Sequence, residues 1–94
     1  MPPVTFQWDK GNESKSNHKH GITNVEAESV FDDPDKKIRY DNKHSAREIR
    51  YVCIGKSQYE RILFVSYLIR QGRVRIVSAR LANKKNKEFY EKAT

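Results

Sequence analysis

The sequence predicts a single α+β domain over residues 1–94: a compact antiparallel β-sheet with two N-terminal helices and one C-terminal helix. Three observations carry this. β-rich runs gather in one stretch between Glu48 and Arg80, and two of them are joined by Gln71-Gly72, a tight hairpin connection. Helix signals lie before and after that stretch rather than alternating with it, as a parallel α/β fold requires. And 94 residues, 36% apolar and 33% charged, leave room for one small core.

The elements follow in order. Val4-Thr5-Phe6-Gln7-Trp8 is a short β-run of alternating character. Asp9 is placed to cap a helix from about Gly11 to His20, with Gly21 as the residue that ends it. That helix is polar almost throughout, so its ends and its contacts must hold it. Thr23 and Glu26 form a T-x-x-E pair that starts a second helix from about Asn24 to Phe31. Its expected buried stripe is Val25, Val30 and Phe31, flanked by Ala27, and Asp32-Asp33-Pro34 ends it.

Ile38-Arg39-Tyr40 reads as a short strand, and Asp41 to Arg47 as a polar loop. Glu48 to Gly55 is the next strand, with Ile49, Tyr51 and Cys53 on one face and Val52 and Ile54 on the other, so both faces are expected to be covered. Lys56 to Glu60 is a turn, Arg61 to Arg70 a long β-run, and Arg73 to Arg80 its return. Asn83 caps a basic helix from Lys84 to about Lys92, docked by Phe89 and Tyr90.

Charge is distributed unevenly. Residues 1–47 hold 8 basic and 8 acidic side chains, while residues 48–94 hold 11 and 4, which supplies the whole net charge of +7. Such a face suits an anionic partner: RNA, DNA or an acidic protein segment. General solubility is the plainer account of the same charge.

Other classes drop out. The longest uncharged apolar stretch, Ile62 to Ile69, is far below the roughly 20 residues of a membrane-spanning helix. Met1-Pro2-Pro3-Val4 has neither a basic nor an apolar region of a signal peptide, and the single Cys53 cannot staple a secreted fold, so a cytoplasmic protein is expected. His18 and His20, two apart on a helix, point different ways and make no metal pair, and no phosphate-loop, dinucleotide or nucleophile-elbow motif occurs. No metal and no cofactor is therefore expected. Cys53 reads as a small core residue.

Arginine and lysine remain. Cleaving RNA through its 2′-hydroxyl needs a group to take that proton, a group to protonate the leaving oxygen, and cations on the phosphorane. Arginine suits the last role because its planar fork grips phosphate. Strict alternation over 73–80 places Arg73 and Arg75 opposite Val74, Ile76 and Ser78, and Arg80 with the latter set. An arginine there either snorkels at the core edge or aims into a cleft. Arg50 repeats the arrangement beside Val52 and Ile54. His20 and Lys19 also suit a plain role as cations at a helix C-terminus, and Tyr90 suits docking.

Four blocks occur in order: Trp8-Asp9 with Gly11-Asn12, Lys15 and Lys19-His20-Gly21; Phe31-Asp32-Asp33-Pro34; His44-Ser45 with Glu48, Arg50 and Gly55; and Arg75-Ile76-Val77-Ser78-Ala79-Arg80 with Ala82 and Glu88-Phe89-Tyr90-Glu91. Together they resemble the BrnT family of toxins from bacterial type II toxin–antitoxin modules, from Phe6 to about Glu91. One position departs, Ser16 standing where the family usually has Asn. The resemblance implies a RelE-like fold and a metal-independent endoribonuclease that arrests translation. It also implies neutralisation by a BrnA-type ribbon-helix-helix antitoxin in a 2:2 complex, with operator DNA bound only through the antitoxin. Carried over by position, Arg80, Arg50, His20 and Lys19 are the expected catalytic residues, and Arg61 belongs to the same RNA site. Arg75 and Lys84, on the basic half, complete the expected substrate contacts. Two other readings stay open: a non-catalytic nucleic-acid-binding or regulatory module, and a homologue whose toxicity has decayed.

Overall fold

The computed structural model describes residues 4–13, 20–44 and 47–92. Among these, the order is α1 (Asn24–Ser29), a 3-10 turn (Val30–Asp32), β1 (Lys37–Tyr40), a second 3-10 turn (Asn42–His44), β2 (Arg50–Lys56), β3 (Ile62–Arg70), β4 (Arg73–Leu81) and α2 (Lys84–Glu91). The expected α+β class holds, with a four-stranded antiparallel sheet in the order β1-β2-β3-β4. The described residues hold two complete helices, one before and one after the strands, rather than the expected three. Of the helix placed at 11–20, residues 14–19 lie outside the described residues, Gly11 to Glu13 form a turn and His20 is helical. Backbone N–H groups of Asn12 and Glu13 donate to Asp9 O at 3.1 and 2.8 Å, and the Asp9 carboxylate accepts from the Gly11 N–H at 2.8 Å. Asp9 thus caps this turn with both its carbonyl and its carboxylate, as a helix N-cap does.

The hairpin forms as read. Gln71 and Gly72 both take positive φ, 53° and 73°, as a type I′ connection demands. The N-terminal β-run becomes a short parallel bridge on the outer edge of β4: Gln7 N–H donates to Val74 O and Val74 N–H to Thr5 O, both at 2.8 Å. That covers an edge otherwise open to further pairing.

The core lies on one face of the sheet. Cys53, Leu63, Val65, Tyr67, Val74, Ile76 and Ala79 pack against Ile22, Ala27, Val30 and Phe31, with Phe6, Trp8 and Tyr51 at its margin. Phe6, Phe31 and Tyr67 meet edge to face at centroid distances of 5.4 and 5.1 Å. Gly55 is required where the 3-10 turn presses on β2: a β-carbon there would stand 2.9 Å from Val30 Cγ1 and 3.2 Å from Val30 O. Burial drives the Cys53 thiol up to about 12, so it stays protonated and inert, a core residue as expected.

Two expectations about burial are corrected. Val25 is 62% exposed, and Glu26 takes the inward position at 2% exposure. Thr23 Oγ1 accepts from the Glu26 N–H at 3.1 Å, but the Glu26 carboxylate turns inward to Arg61 Nε at 2.8 Å, to Arg61 Nη2, and to the Ser57 hydroxyl at 2.7 Å. A carboxylate supplied with that many donors can be buried where a lone one cannot. Ile49 also stands 56% exposed, because β2 begins only at Arg50.

Candidate functional site

A β-bulge decides which side chains share the second face of the sheet. Ser66 pairs with Ser78, yet the next residue, Tyr67, pairs with Ile76, so Val77 has no opposite number. The extra residue reverses alternation along β4. Val74 and Ile76 point to the core before it, and Ala79 does so after it. Arg80 is therefore not on the face of Val74 and Ile76, as strict alternation over 73–80 gives. It shares the opposite face with Arg75 and Ser78.

Cross-strand register extends this face. Arg80 lies opposite Phe64, Ser78 opposite Ser66, and Arg75 opposite Leu68. Leu68 in turn faces Arg50, Ser66 faces Val52, and Val52 faces Arg39. Arg39, Arg50, Arg75 and Arg80 therefore belong to one sheet face, around a centre of Val52, Phe64, Ser66 and Leu68. Helix α2 rests against the end of this face near Ile54, where the Arg39 guanidinium stands 5.5 Å from the Phe89 ring centre. Tyr90 anchors the helix, its hydroxyl donating to Asp33 Oδ2 at 2.6 Å. Burial and that bond push the Tyr90 phenol up to about 12. Tyr90 is a docking residue.

The arginines differ in how they are held. Arg75 is committed: its Nη1 and Nη2 donate to the two Asp9 oxygens at 2.8 and 2.9 Å, with the Arg75 side chain 13% exposed. That fork, helped by the Gly11 N–H, holds the Asp9 carboxyl below its ordinary value. Arg80 is held by neutral groups. Its Nη1 donates to Leu81 O at 3.1 Å and Asn86 Oδ1 at 3.2 Å, and its guanidinium carbon lies 4.0 Å from the Phe64 ring centre. Burial draws its pKa below the ordinary value, which leaves it a cation at any working pH. Asn86 is itself fixed: its Oδ1 also accepts from the Asn83 N–H at 3.1 Å, half of the capping box that opens α2. Arg50 opens β2 on the same face, half-buried.

The remaining expected residues are not brought to this face. Lys19 lies outside the described residues, as do Ser16 and Ser45. His20 is exposed, two residues before Ile22, which is buried under the opposite face; Gly21 between them takes φ 70°, as read. Arg61 directs its guanidinium to Glu26 on the core side, raising its own pKa and depressing that of Glu26. Lys84 is exposed at the first turn of α2, just beyond Arg80.

Reading the sequence missed Arg39, Phe64 and Asn86. A signal existed: apolar residues in β4 fall on even positions at Val74 and Ile76 but on odd ones at Val77, Ala79 and Leu81, which marks the bulge. A positive surface of this kind can grip phosphate, with apolar and hydroxyl groups between for base or sugar.

Among the described residues no three His, Cys, Asp or Glu side chains gather as metal ligands, and no helix is long and apolar enough to cross a membrane. A comparison with curated proteins gave no match. The sequence profile described as the ribonuclease toxin, BrnT, of type II toxin–antitoxin systems matches residues 8–86. That span takes in the Asp9 turn, the whole sheet and the Arg80–Asn86 contact, so the chain belongs to the BrnT family of type II toxin–antitoxin ribonuclease toxins.

Proposed function

We propose that this protein is a metal-independent endoribonuclease toxin that cuts RNA on the second face of its sheet and so arrests translation in the cytoplasm. The observation that carries the reading is the Arg80 cation, held in place over Phe64 by neutral partners and sharing its face with Arg50. A guanidinium positioned by neutral acceptors keeps its charge available for an anion, whereas Arg75 must first give up Asp9. In the proposed reaction the RNA 2′-oxygen bonds to the adjacent phosphorus and the bond to the 5′-oxygen breaks. The 2′-proton passes to a base and a proton is returned to the leaving oxygen, giving a 2′,3′-cyclic phosphate and a 5′-hydroxyl. Arg80 and Arg50 stabilise the phosphorane, and Lys84, just beyond Arg80, holds a flanking phosphate, whereas Arg61 is engaged by Glu26 and Arg75 by Asp9. The family resemblance adds His20 and Lys19 to the RNA site without assigning either the proton transfers, and His20 stands apart from the arginine face.

A type II toxin implies an antitoxin. The partner in this reading is a BrnA-type ribbon-helix-helix protein that covers part of the basic half, in a 2:2 complex whose antitoxins form the dimer and carry the operator DNA. In this reading the fold is also RelE-like. The test is incubation of the purified protein with total RNA in EDTA, with products analysed for cyclic phosphate ends. Cuts that persist in EDTA and vanish with added antitoxin support the proposal. Tight RNA binding without any cut would assign the face to a non-catalytic binding module instead.

A further inference from the structure

We infer that a hollow next to Arg80 is a nucleobase subsite, which holds the base adjoining the scissile phosphate and sets sequence preference. The inference rests on the ribonuclease reading above. The hollow has a volume of about 380 Å³ and is lined by Arg39, Asp41, Asn42, Lys43, Val52 and Phe64. That volume is at the small end of the roughly 300–1,000 Å³ found for small-ligand sites.

Its chemistry fits a base. A nucleobase presents flat apolar faces and an edge of mixed donors and acceptors. Val52 and Phe64 supply an apolar and aromatic floor on the second face of the sheet. The rim supplies both polarities: the Asn42 amide donates and accepts, and Lys43 and the planar Arg39 donate. Arg39 also offers a stacking plane, a sequence-tolerant way to hold a base.

Its position fits too. Phe64 lines the hollow and carries the Arg80 guanidinium over its ring at 4.0 Å, so a base seated there stands one ring away from the phosphate-binding cation. The rim is tied to the other arginine. Asp41 N–H donates to Arg50 O at 2.8 Å, which fixes the 3-10 turn Asn42–His44 against the first residue of β2. The neighbouring hollow beneath α2 is less suited, because Asn86 is already engaged there by the Asn83 N–H and Arg80.

The probe is a set of uncleavable, 2′-deoxy-substituted single strands in which each position in turn carries each of the four bases. Wild-type protein should discriminate at one position by about tenfold in affinity between best and worst base, falling to about twofold in Asn42→Ala and in Lys43→Ala. Tyr59→Ala, an exposed site away from this face, should keep the discrimination. Equal affinity for all bases at every position in the wild type overturns the inference, and so does discrimination unchanged in both rim variants with melting temperatures intact. The ribonuclease reading fails separately, by absence of cuts in natural RNA. Where cuts occur, their 5′ ends should show the same preferred base beside the break, flattened in Asn42→Ala.

Discussion

The Arg80 guanidinium lies 4.0 Å from the ring centre of Phe64, its cross-strand partner. The pair exists because the unpaired Val77 turns Arg80 away from the core face. Arg80→Ala is expected to lower cleavage by about 3 kcal/mol of transition-state stabilisation, on the order of 100-fold in rate. The cation–π contact contributes about 1 kcal/mol to stability, equivalent to about 4–8 °C in Tm for a domain of this size. Single-turnover cleavage beside a thermal melt separates the roles. A collapse in Tm with wild-type rate per folded molecule makes Arg80 structural.

Glu26→Ala removes a buried carboxylate that serves Arg61 and Ser57, and should cost about 2 kcal/mol, moderated because Arg61 can return to water. Arg61 lowers the Glu26 pKa against the opposing effect of burial, with Ser57 assisting. A depressed carboxyl stabilises the fold above its ordinary value of 4.5, and that contribution is lost as pH falls through the folded-state pKa. Asp33 adds in the same direction: burial pushes its carboxyl up, but the Tyr90 hydroxyl and the N–H groups of Lys56 and Asp35 outweigh it. Urea midpoints should therefore fall on acidification below about pH 4.5, and fall less in Glu26→Ala. Parallel curves for the two proteins would contradict this account.

Gly55→Ala should destabilise the fold by about 2 kcal/mol, because the new methyl group meets the Val30 side chain and its backbone oxygen. Pairing Gly55→Ala with Val30→Ala removes one of these contacts and tests the cause. The second substitution should restore part of the lost stability in chemical denaturation, whereas simple addition of the two losses would point elsewhere.

Gln71→Asn should stabilise the hairpin by about 0.5 kcal/mol, since Gln71 sits at φ 53° and asparagine tolerates that region better. Gly72→Ala, at φ 73°, should do the reverse by about 1 kcal/mol. Tm measured on both variants checks the turn. Equal shifts of one sign would refute the type I′ geometry.

Local chemistry made much of the fold legible. Gln71-Gly72 specifies its turn through backbone sterics alone, Thr23 caps α1 through one hydroxyl, and Pro34 holds Asp33 extended at ψ 117°. Features set by distant partners were not legible in the same way. Glu26 lies inside only because Ser57 and Arg61, 31 and 35 residues later, supply its donors. The fork between Asp9 and Arg75 likewise joins residues 66 apart. The site suffered most, because one bulged residue reassigns every side chain beyond it. Arg50 and Arg80 were found as residues, but their common face needed the register.

The bridge between Phe6 and Val74 has a consequence for synthesis. Asp9 and Arg75 are 66 residues apart, so the segment around Asp9 has no partner until β4 follows it. Long-range pairing of this kind delays completion of the fold until β4 has been made. Arg80 lies later still, behind the bulge. A nascent copy therefore lacks its assembled arginine face until translation has passed β4, long after the turn at Asp9 has been made.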